Sequence, residues 1–161
     1  MVSMNSVLED DIRALPGSIY VMTHTTNPLL TAATIQAATE TYRENPSYDS
    51  LFSVNRIQTR FYRENGDPVN HDPRDLIRTQ DLEPWFEENS CLYVFSEDSF
   101  LRHESRIGSR PRMFQTPPLE SVDIDLETDW IMAESLLTTR KQDLVTNGNP
   151  VPSVLRIQNF G

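Results

Sequence analysis

Features that would commit the chain to a membrane or to secretion are missing from its 161 residues. A single cysteine, Cys91, excludes an internal disulfide framework. The apolar runs are short strands, far from the ~20 residues that a membrane-spanning helix needs. Residues 1–11 are polar and acidic and lack the pattern of a signal peptide. We therefore expect a cytoplasmic protein that does not associate with membranes.

Positive charge and glycine are also scarce. The 14 lysines and arginines stand against 24 aspartates and glutamates, which gives a formal net charge of −10. Because such a surface repels a phosphate backbone, we expect no general binding of nucleic acids. Five glycines are too few to suggest a glycine-rich phosphate-binding loop. The length and the hydrophobic fraction of 37% still allow one globular domain with a core.

The first third of the chain has the pattern of an α/β protein. A helix is predicted over residues 3–15, and its candidate core contacts are Val7, Leu8, Ile12 and Leu15. A strand is predicted over 19–22, followed by a polar loop. Thr31 is a suitable N-cap for a second helix that ends near residue 45. A second strand is predicted over 50–54. This β-α-β order favours a parallel α/β sheet.

The middle of the chain does not continue the β-α-β pattern of the first third. Residues 57–62 look extended, and Asn65-Gly66 is typical of a hairpin turn. The polar stretch 70–81 is long for a loop that only connects two elements, so we expect it to bind a ligand or another subunit. The remaining predicted elements are a buried strand at 91–95, a short helix capped by Ser96, a strand at 111–115, a short strand at 122–125, a helix at 126–137 and a tail strand at 154–157.

An acidic pair, Asp123 and Asp125, lies in the run Val-Asp-Ile-Asp. On a strand, residues i and i+2 point to the same face, so both carboxylates would project together. Two carboxylates at the end of a strand suit a hard cation such as Mg²⁺. Asp125 is equally suited to cap the helix that follows it. Judged by this run alone, the helix cap is the more common arrangement, and both interpretations stay open.

Arg78 and Gln80 lie in the long polar stretch. Arginine binds carboxylate or phosphate through two parallel hydrogen bonds, and glutamine both donates and accepts. A solvated loop or a subunit contact explains the same residues. The three histidines lack the spacing of zinc ligands. Cys91 lies within an apolar strand, which favours a core position over a nucleophilic role.

Four segments together resemble the acylneuraminate cytidylyltransferase family. They are Thr-Thr-Asn-Pro-Leu at 25–29, Tyr-Asp-Ser-Leu-Phe-Ser-Val at 48–54, Arg-Thr-Gln-Asp-Leu at 78–82 with Glu-Asn-Ser-Cys-Leu-Tyr at 88–93, and Ser-Val-Asp-Ile-Asp-Leu-Glu-Thr-Asp-Trp from 121 with Ala-Glu after it. They occur in the family's order and spacing. The resemblance implies a partial Rossmann-like α/β nucleotidyltransferase with a mixed, mainly parallel sheet and a protruding dimerisation hairpin or loop.

The resemblance also implies an activity and a division of the chain. The family joins CTP to a nine-carbon 2-keto sugar acid of the N-acylneuraminate type and releases pyrophosphate. The implied site residues are Asp123 and Asp125, as catalytic ligands of Mg²⁺, and Arg78, Gln80, Thr25 and Thr26, as substrate-binding residues. Residues 1–141 would form the catalytic domain, with the protruding element at about 56–82 reaching across a homodimer. Residues 142–161 would form a tail.

The chain departs from the family pattern in ways that leave other functions open. The family's glycine-rich, basic loop for the CTP phosphates does not occur here, so we expect an incomplete form of the enzyme. His24, Thr79 and Ser90 stand where relatives have glutamine, arginine and glycine. The alternatives are a non-catalytic remnant that binds a sugar acid or dimerises, and a cytidylyltransferase for an eight-carbon sugar acid. An uncovered sheet edge would favour self-association.

Overall fold

A four-stranded sheet with helices on both faces organises the chain. The structure is a computed structural model that describes residues 4–146, and side chains as far as Arg140. Its elements are α1 (Met4–Ala14), β1 (Ile19–Thr23), α2 (Ala32–Arg43), β2 (Ser50–Ile57), β3 (Trp85–Ser96), α3 (Glu97–His103), β4 (Pro111–Gln115) and α4 (Glu127–Thr146). Single turns of 3-10 helix occur at Thr79–Asp81 and Pro118–Glu120.

The strand order is β1-β3-β2-β4, which confirms a mixed α/β sheet. β2 and β4 are parallel neighbours, whereas β3 is antiparallel to both β1 and β2. Strands β1, β2 and β4 therefore run in one direction, as the β-α-β order predicts. They are not all neighbours, because β3 lies between β1 and β2. Parallel strands are thus the majority by direction, while two of the three pairings are antiparallel.

The side chains of β3 build a core on each face of the sheet. Tyr93 and Phe95 pack with residues of α1 and α3, including Leu8 and Phe100. Leu92 and Val94 point the other way and, with Leu51, pack against Ala38 of α2. This alternation follows from the two-residue period of a strand, and it leaves the central strand buried on both faces.

The helix caps follow the sequence closely. The Thr31 hydroxyl accepts a hydrogen bond from the Thr34 N–H at 3.2 Å, and the Ser96 hydroxyl caps α3 in the same way. In α1, Leu8 and Ile12 are buried as expected. Val7 and Leu15, which we also expected to contact the core, are exposed.

Helix α4 continues to Thr146, nine residues beyond the predicted end at 137. No glycine or proline occurs between these positions to stop it. The first residues of the expected tail are therefore helical, and the predicted strand at 154–157 lies outside the described residues. None of the helices in the described part of the chain combines the length and apolar character that crossing a membrane requires.

Strands β2 and β3 extend together well beyond β1. The last residue of β1, Thr23, pairs with Leu92, whereas Ile57 at the end of β2 pairs with Trp85. On β2, Ser53 stands at the level of Leu92, so four residues separate these two levels, a length of about 13 Å. We call this projection, with the connection 58–84 at its end, the outer hairpin.

The connection at the end of the outer hairpin is mostly irregular. The predicted turn is confirmed, since Tyr62 bridges Pro68 and Gly66 has a φ of +88°. Of residues 57–62, which look extended in the sequence, only Ile57 belongs to a strand of the sheet, and Tyr62 forms an isolated bridge.

A bulge interrupts β3 at the base of the outer hairpin. Between the pairs Phe52–Tyr93 and Val54–Glu88, one residue of β2 stands opposite four residues of β3. Side chains replace the lost ladder: the Ser53 hydroxyl accepts the Leu92 N–H at 2.9 Å. The buried Asn89 amide donates to the Thr116 hydroxyl at 2.7 Å and to the side-chain oxygen of Asn55 at 2.9 Å.

Candidate active site

The loop after β1 meets the segment that leads into α4. The Ile124 N–H donates to the Thr26 carbonyl at 2.9 Å. The Asn27 side-chain amide donates to the Val122 carbonyl at 3.3 Å. These two bonds bring residues 24–27 and 120–125 together at the carboxyl end of β1, which is where open α/β sheets bind their ligands.

The acidic pair lies in this second segment, although not on a strand. The predicted strand at 122–125 is wrong: the segment makes a single backbone bond to the Thr26 carbonyl in place of a ladder. The argument that Asp123 and Asp125 share a strand face therefore does not apply. Asp123 is half-buried and Asp125 is exposed.

The helix cap is also provided differently from our expectation. The Asp129 carboxylate accepts the backbone N–H groups of Leu126, at 2.8 Å, and Asp125, at 3.2 Å. An acidic residue in the first turn thus binds back to the start of α4, as in a capping box. Asp125 does not cap the helix, and its carboxylate makes no hydrogen bond with residues 4–140.

Buried polar atoms without a partner are concentrated at this junction. Within the described side chains there are four such atoms, and three belong here: Nε2 of His24, Oδ1 of Asn27 and Oδ1 of Asp123. Leaving a buried polar group unpaired costs about 1–3 kcal/mol. In native folds such groups are usually satisfied by ordered water, an ion or a ligand, so the junction is a candidate ligand site.

The junction is also electrically negative. The ion pairs between described residues include neither Asp123 nor Asp125. Burial raises the pKa of Cys91 to about 11, and the charges of Asp123 and Glu120 add to that rise. Cys91 is fully buried, which confirms the core position that its strand predicts.

The donors of the junction fit a hard divalent cation. Asp123 supplies an anionic oxygen with no protein partner, and such cations take oxygen ligands. Mg²⁺ needs only one or two protein carboxylates, because waters and substrate phosphates complete its coordination. Thr25 and Thr26 are exposed in the same junction. The structure therefore brings these two predicted residues to Asp123.

Arg78 and Gln80 lie elsewhere, at the end of the outer hairpin. The Arg78 guanidinium forms two bonds to the Asp81 carboxylate, at 2.7 and 3.2 Å. The Gln80 carbonyl accepts the Gln58 amide at 3.1 Å. Gln58 directly follows β2, five residues beyond Ser53, which is a rise of about 16 Å. No hydrogen bond or ion pair among the described residues joins Arg78 or Gln80 to Asp123.

One polar cluster near the junction was not predicted. The buried Tyr93 hydroxyl donates to the Glu88 carboxylate, and the Arg106 guanidinium donates to that hydroxyl at 3.0 Å and stacks 3.9 Å from the ring centroid. Burial first, and then the bond to Glu88, raise the pKa of Tyr93 to about 12. The His24 ring lies 6.3 Å from the Tyr93 ring. Arg106 had no local signal, because its partners are distant in sequence.

The Tyr-Asp-Ser motif has a structural role at the opposite end of the sheet. The Asp49 carboxylate accepts the N–H groups of Ser109, at 2.9 Å, and Arg110, at 3.0 Å, and the Ser109 hydroxyl at 3.0 Å. The Ser50 hydroxyl accepts the Gly108 N–H at 2.8 Å. We call this arrangement the Asp49 clasp. Burial raises the pKa of Asp49, but these hydrogen bonds outweigh it and hold the pKa below its usual value.

Comparisons with known proteins agree with this architecture. A family model described as cytidylyltransferase matches residues 3–150. The chain is 33% identical over 94 residues to N-acylneuraminate cytidylyltransferase A of Danio rerio, a match that covers 54% of this chain and 22% of that relative. The chain thus spans about a fifth of that relative's length.

A solved structure is similar in fold. The 4-diphosphocytidyl-2C-methyl-D-erythritol synthase of Anaerococcus prevotii superposes with a TM-score of 0.56 at 9% identity, covering 86% of this chain and 68% of that one. At this identity the likeness concerns the fold and agrees with the mixed α/β sheet. Because the family model spans all of the described residues, the chain belongs to the cytidylyltransferase family.

Proposed function

We propose that this chain acts in the cytoplasm to transfer CMP from CTP to a nine-carbon 2-keto sugar acid of the N-acylneuraminate type, with release of pyrophosphate. The observation that carries the proposal is the buried, unpartnered carboxylate oxygen of Asp123 beside Thr25 and Thr26, in a chain of this family. The choice of sugar acid is supported by the name of the relative that is 33% identical.

Each group of the junction has a role in this reaction. Asp123 and Asp125 would hold Mg²⁺, which when bound offsets negative charge on the phosphates. Thr25 and Thr26 are exposed, and their hydroxyls would donate hydrogen bonds to substrate oxygens. The anomeric hydroxyl of the sugar acid attacks the α-phosphorus, a new oxygen–phosphorus bond forms, and the bond to pyrophosphate breaks as the hydroxyl loses its proton.

The outer hairpin is suited to complete the site of a second subunit. In their own chain, Arg78 and Gln80 bind Asp81 and Gln58, and no hydrogen bond among the described residues joins them to Asp123. The hairpin exposes apolar side chains, among them Leu76 at 85% and Ile77 at 42%. A homodimer would cover these side chains and bring Arg78 to the partner's substrate. The exposed Arg78–Asp81 pair is worth little, so a substrate carboxylate can replace it.

The test is an assay of the chain, with any further segment that its gene encodes, using radiolabelled CTP, Mg²⁺ and either N-acetylneuraminate or an eight-carbon sugar acid. We expect labelled CMP-sugar with the nine-carbon acid. Product only with the eight-carbon acid would assign the alternative substrate. Absence of product with both acids, from folded protein at concentrations where a relative is active, would overturn the enzymatic proposal in favour of a non-catalytic binding or dimerisation role.

The subunit arrangement has its own test. Light scattering should give the mass of a dimer, and Leu76→Glu should yield monomers because it charges the exposed apolar surface of the outer hairpin. Glu64→Lys, on an exposed residue of the same connection, is the control. A clean monomer at high concentration of the unaltered protein would contradict the dimer.

A further inference from the structure

We propose that Asn27 is a ligand of the same cation as Asp123, with its side-chain oxygen as the third protein oxygen beside the acidic pair. This inference rests on the proposed function, because it concerns the metal of that site. It adds a residue from the loop after β1 to a site otherwise formed by the segment before α4.

The environment of Asn27 fixes how its side chain points. The residue is only 5% exposed, although it lies in a loop. Its amide nitrogen donates to the Val122 carbonyl at 3.3 Å. This bond assigns the nitrogen to the protein and leaves Oδ1 as the free end of the amide. Val122 directly precedes Asp123, so the bond brings the Asn27 side chain to the carboxylate.

The two unpartnered oxygens require the same kind of partner. Oδ1 of Asn27 and Oδ1 of Asp123 are both acceptors, so neither can satisfy the other. No lysine or arginine among the described side chains forms an ion pair with Asp123. A dehydrated divalent cation is smaller than a water molecule and can contact oxygens that water does not reach. Amide and carboxylate oxygens are both ordinary ligands of hard cations.

The competing explanation is that Asn27 only braces the loop through Val122. The two explanations predict different changes in metal affinity for Asn27→Asp. That change removes the donor to Val122, which weakens a brace, but it supplies a charged oxygen, which strengthens a ligand. Loss of stability together with tighter metal binding is therefore the outcome expected of a ligand, whereas a brace predicts loss of stability alone.

The experiment measures Mn²⁺ binding to the full chain by electron paramagnetic resonance of the free ion, with Mg²⁺ as competitor and at physiological salt. We expect Asn27→Ala and Asp123→Asn each to weaken Mn²⁺ binding at least about tenfold. Asn27→Asp should tighten binding severalfold while lowering the unfolding midpoint. Asn45→Ala is the matched control, because that amide also donates to a backbone carbonyl, Thr41 at 2.8 Å, far from the site. It should leave Mn²⁺ affinity unchanged.

The outcomes separate this inference from the function on which it rests. If Asp123→Asn weakens binding but Asn27→Asp does not tighten it, Asn27 is a brace, this inference fails, and the metal site survives. If the unaltered chain binds no Mn²⁺ that Mg²⁺ displaces, the metal site of the proposed function fails and this inference fails with it.

Discussion

The two ends of the sheet hold aspartates in opposite situations. At one end, Asp49 accepts hydrogen bonds from Ser109, Arg110 and Ser50, and its oxygens are fully used. At the other end, Asp123 keeps a buried oxygen with no partner. Both residues occur in segments that resemble the same family. The first carboxylate therefore holds the chain together, and the second keeps an oxygen available to the cation that we propose.

The largest expected effect concerns Asp123. Asp123→Asn should lower the rate of CMP transfer at least about 100-fold, because a charged ligand of the site is lost. The unfolding free energy should stay within about 0.5 kcal/mol of the original, or rise, because repulsion at the junction is relieved. The checks are the radiolabelled CTP assay and urea unfolding. A folded variant with full activity would place the chemistry elsewhere.

The next effect probes the Asp49 clasp. A methyl group at Gly108 would lie 2.4 Å from the Asp49 carboxylate, so Gly108→Ala must displace the carboxylate from its donors. We expect a loss of about 2–3 kcal/mol in unfolding free energy. Gly17→Ala is the control, because the added methyl would make ordinary contacts of 3.6 Å with Tyr20. Equal effects from the two substitutions, measured by urea unfolding, would show that the clasp is not tight.

A smaller effect concerns backbone strain at two residues outside the helices. Ser90 in the β3 bulge has a φ of +56°, and Glu104 after α3 has a φ of +50°. Glycine adopts this region without the ~1 kcal/mol cost that other residues bear. Glu104→Gly should raise the unfolding free energy by up to about 1 kcal/mol. Ser90→Gly should gain less, because it also loses the 3.3 Å contact from the Tyr93 hydroxyl.

Thermal and urea unfolding of both glycine variants measure this difference. If Ser90→Gly destabilised the chain, the serine hydroxyl would matter more than the strained backbone. The relative order of the two variants is therefore the informative result, and each serves as the control for the other.

The smallest effect is acid sensitivity from the clasp. The pKa of Asp49 is held below its usual value, so the folded chain binds fewer protons there than the unfolded chain as pH falls. Its contribution to stability is complete above about pH 4, the ordinary range of an aspartate, and is lost as pH falls through the lower folded value. Asp49→Asn should therefore be less stable at pH 5 and approach the original at pH 2.

Unfolding free energies at these two pH values test the acid effect. Asp10→Asn, on an exposed residue of α1, is the control and should show no such convergence. A constant difference between Asp49→Asn and the original across this range would mean that the clasp does not depend on the charge of Asp49.

Local signals in the sequence were sufficient for most elements. β4 has the predicted bounds, and Thr31 and Ser96 cap their helices, because caps and short strands depend on neighbouring residues. The glycine expected from the family at Ser90 also has a local reason, since φ is positive there. These features required no knowledge of distant contacts.

Features that depend on distant contacts were missed. No local pattern indicates that β3 inserts between β1 and β2. The insertion depends on how the outer hairpin folds back over a long connection, and neighbouring residues do not encode that. The alternation of residues 122–125 suggested a strand, but its only backbone partner is a loop carbonyl 98 residues earlier in the chain, at Thr26. The contact of Arg106 with Tyr93 was missed for the same reason, because the two residues are 13 positions apart in the sequence.

The bulge in β3 sets the phase of everything beyond it. On the β1 side of the bulge, the numbers of paired residues on β2 and β3 sum to 145, as for Phe52 and Tyr93. On the side of the outer hairpin they sum to 142, as for Val54 and Glu88, so the register shifts by three residues. An odd shift exchanges the two faces of a strand relative to its partner. Adding or deleting one residue within the bulge would therefore put residues 85–88 of β3 on the wrong faces relative to β2, unless the bulge re-forms, while leaving the Asp49 clasp in place.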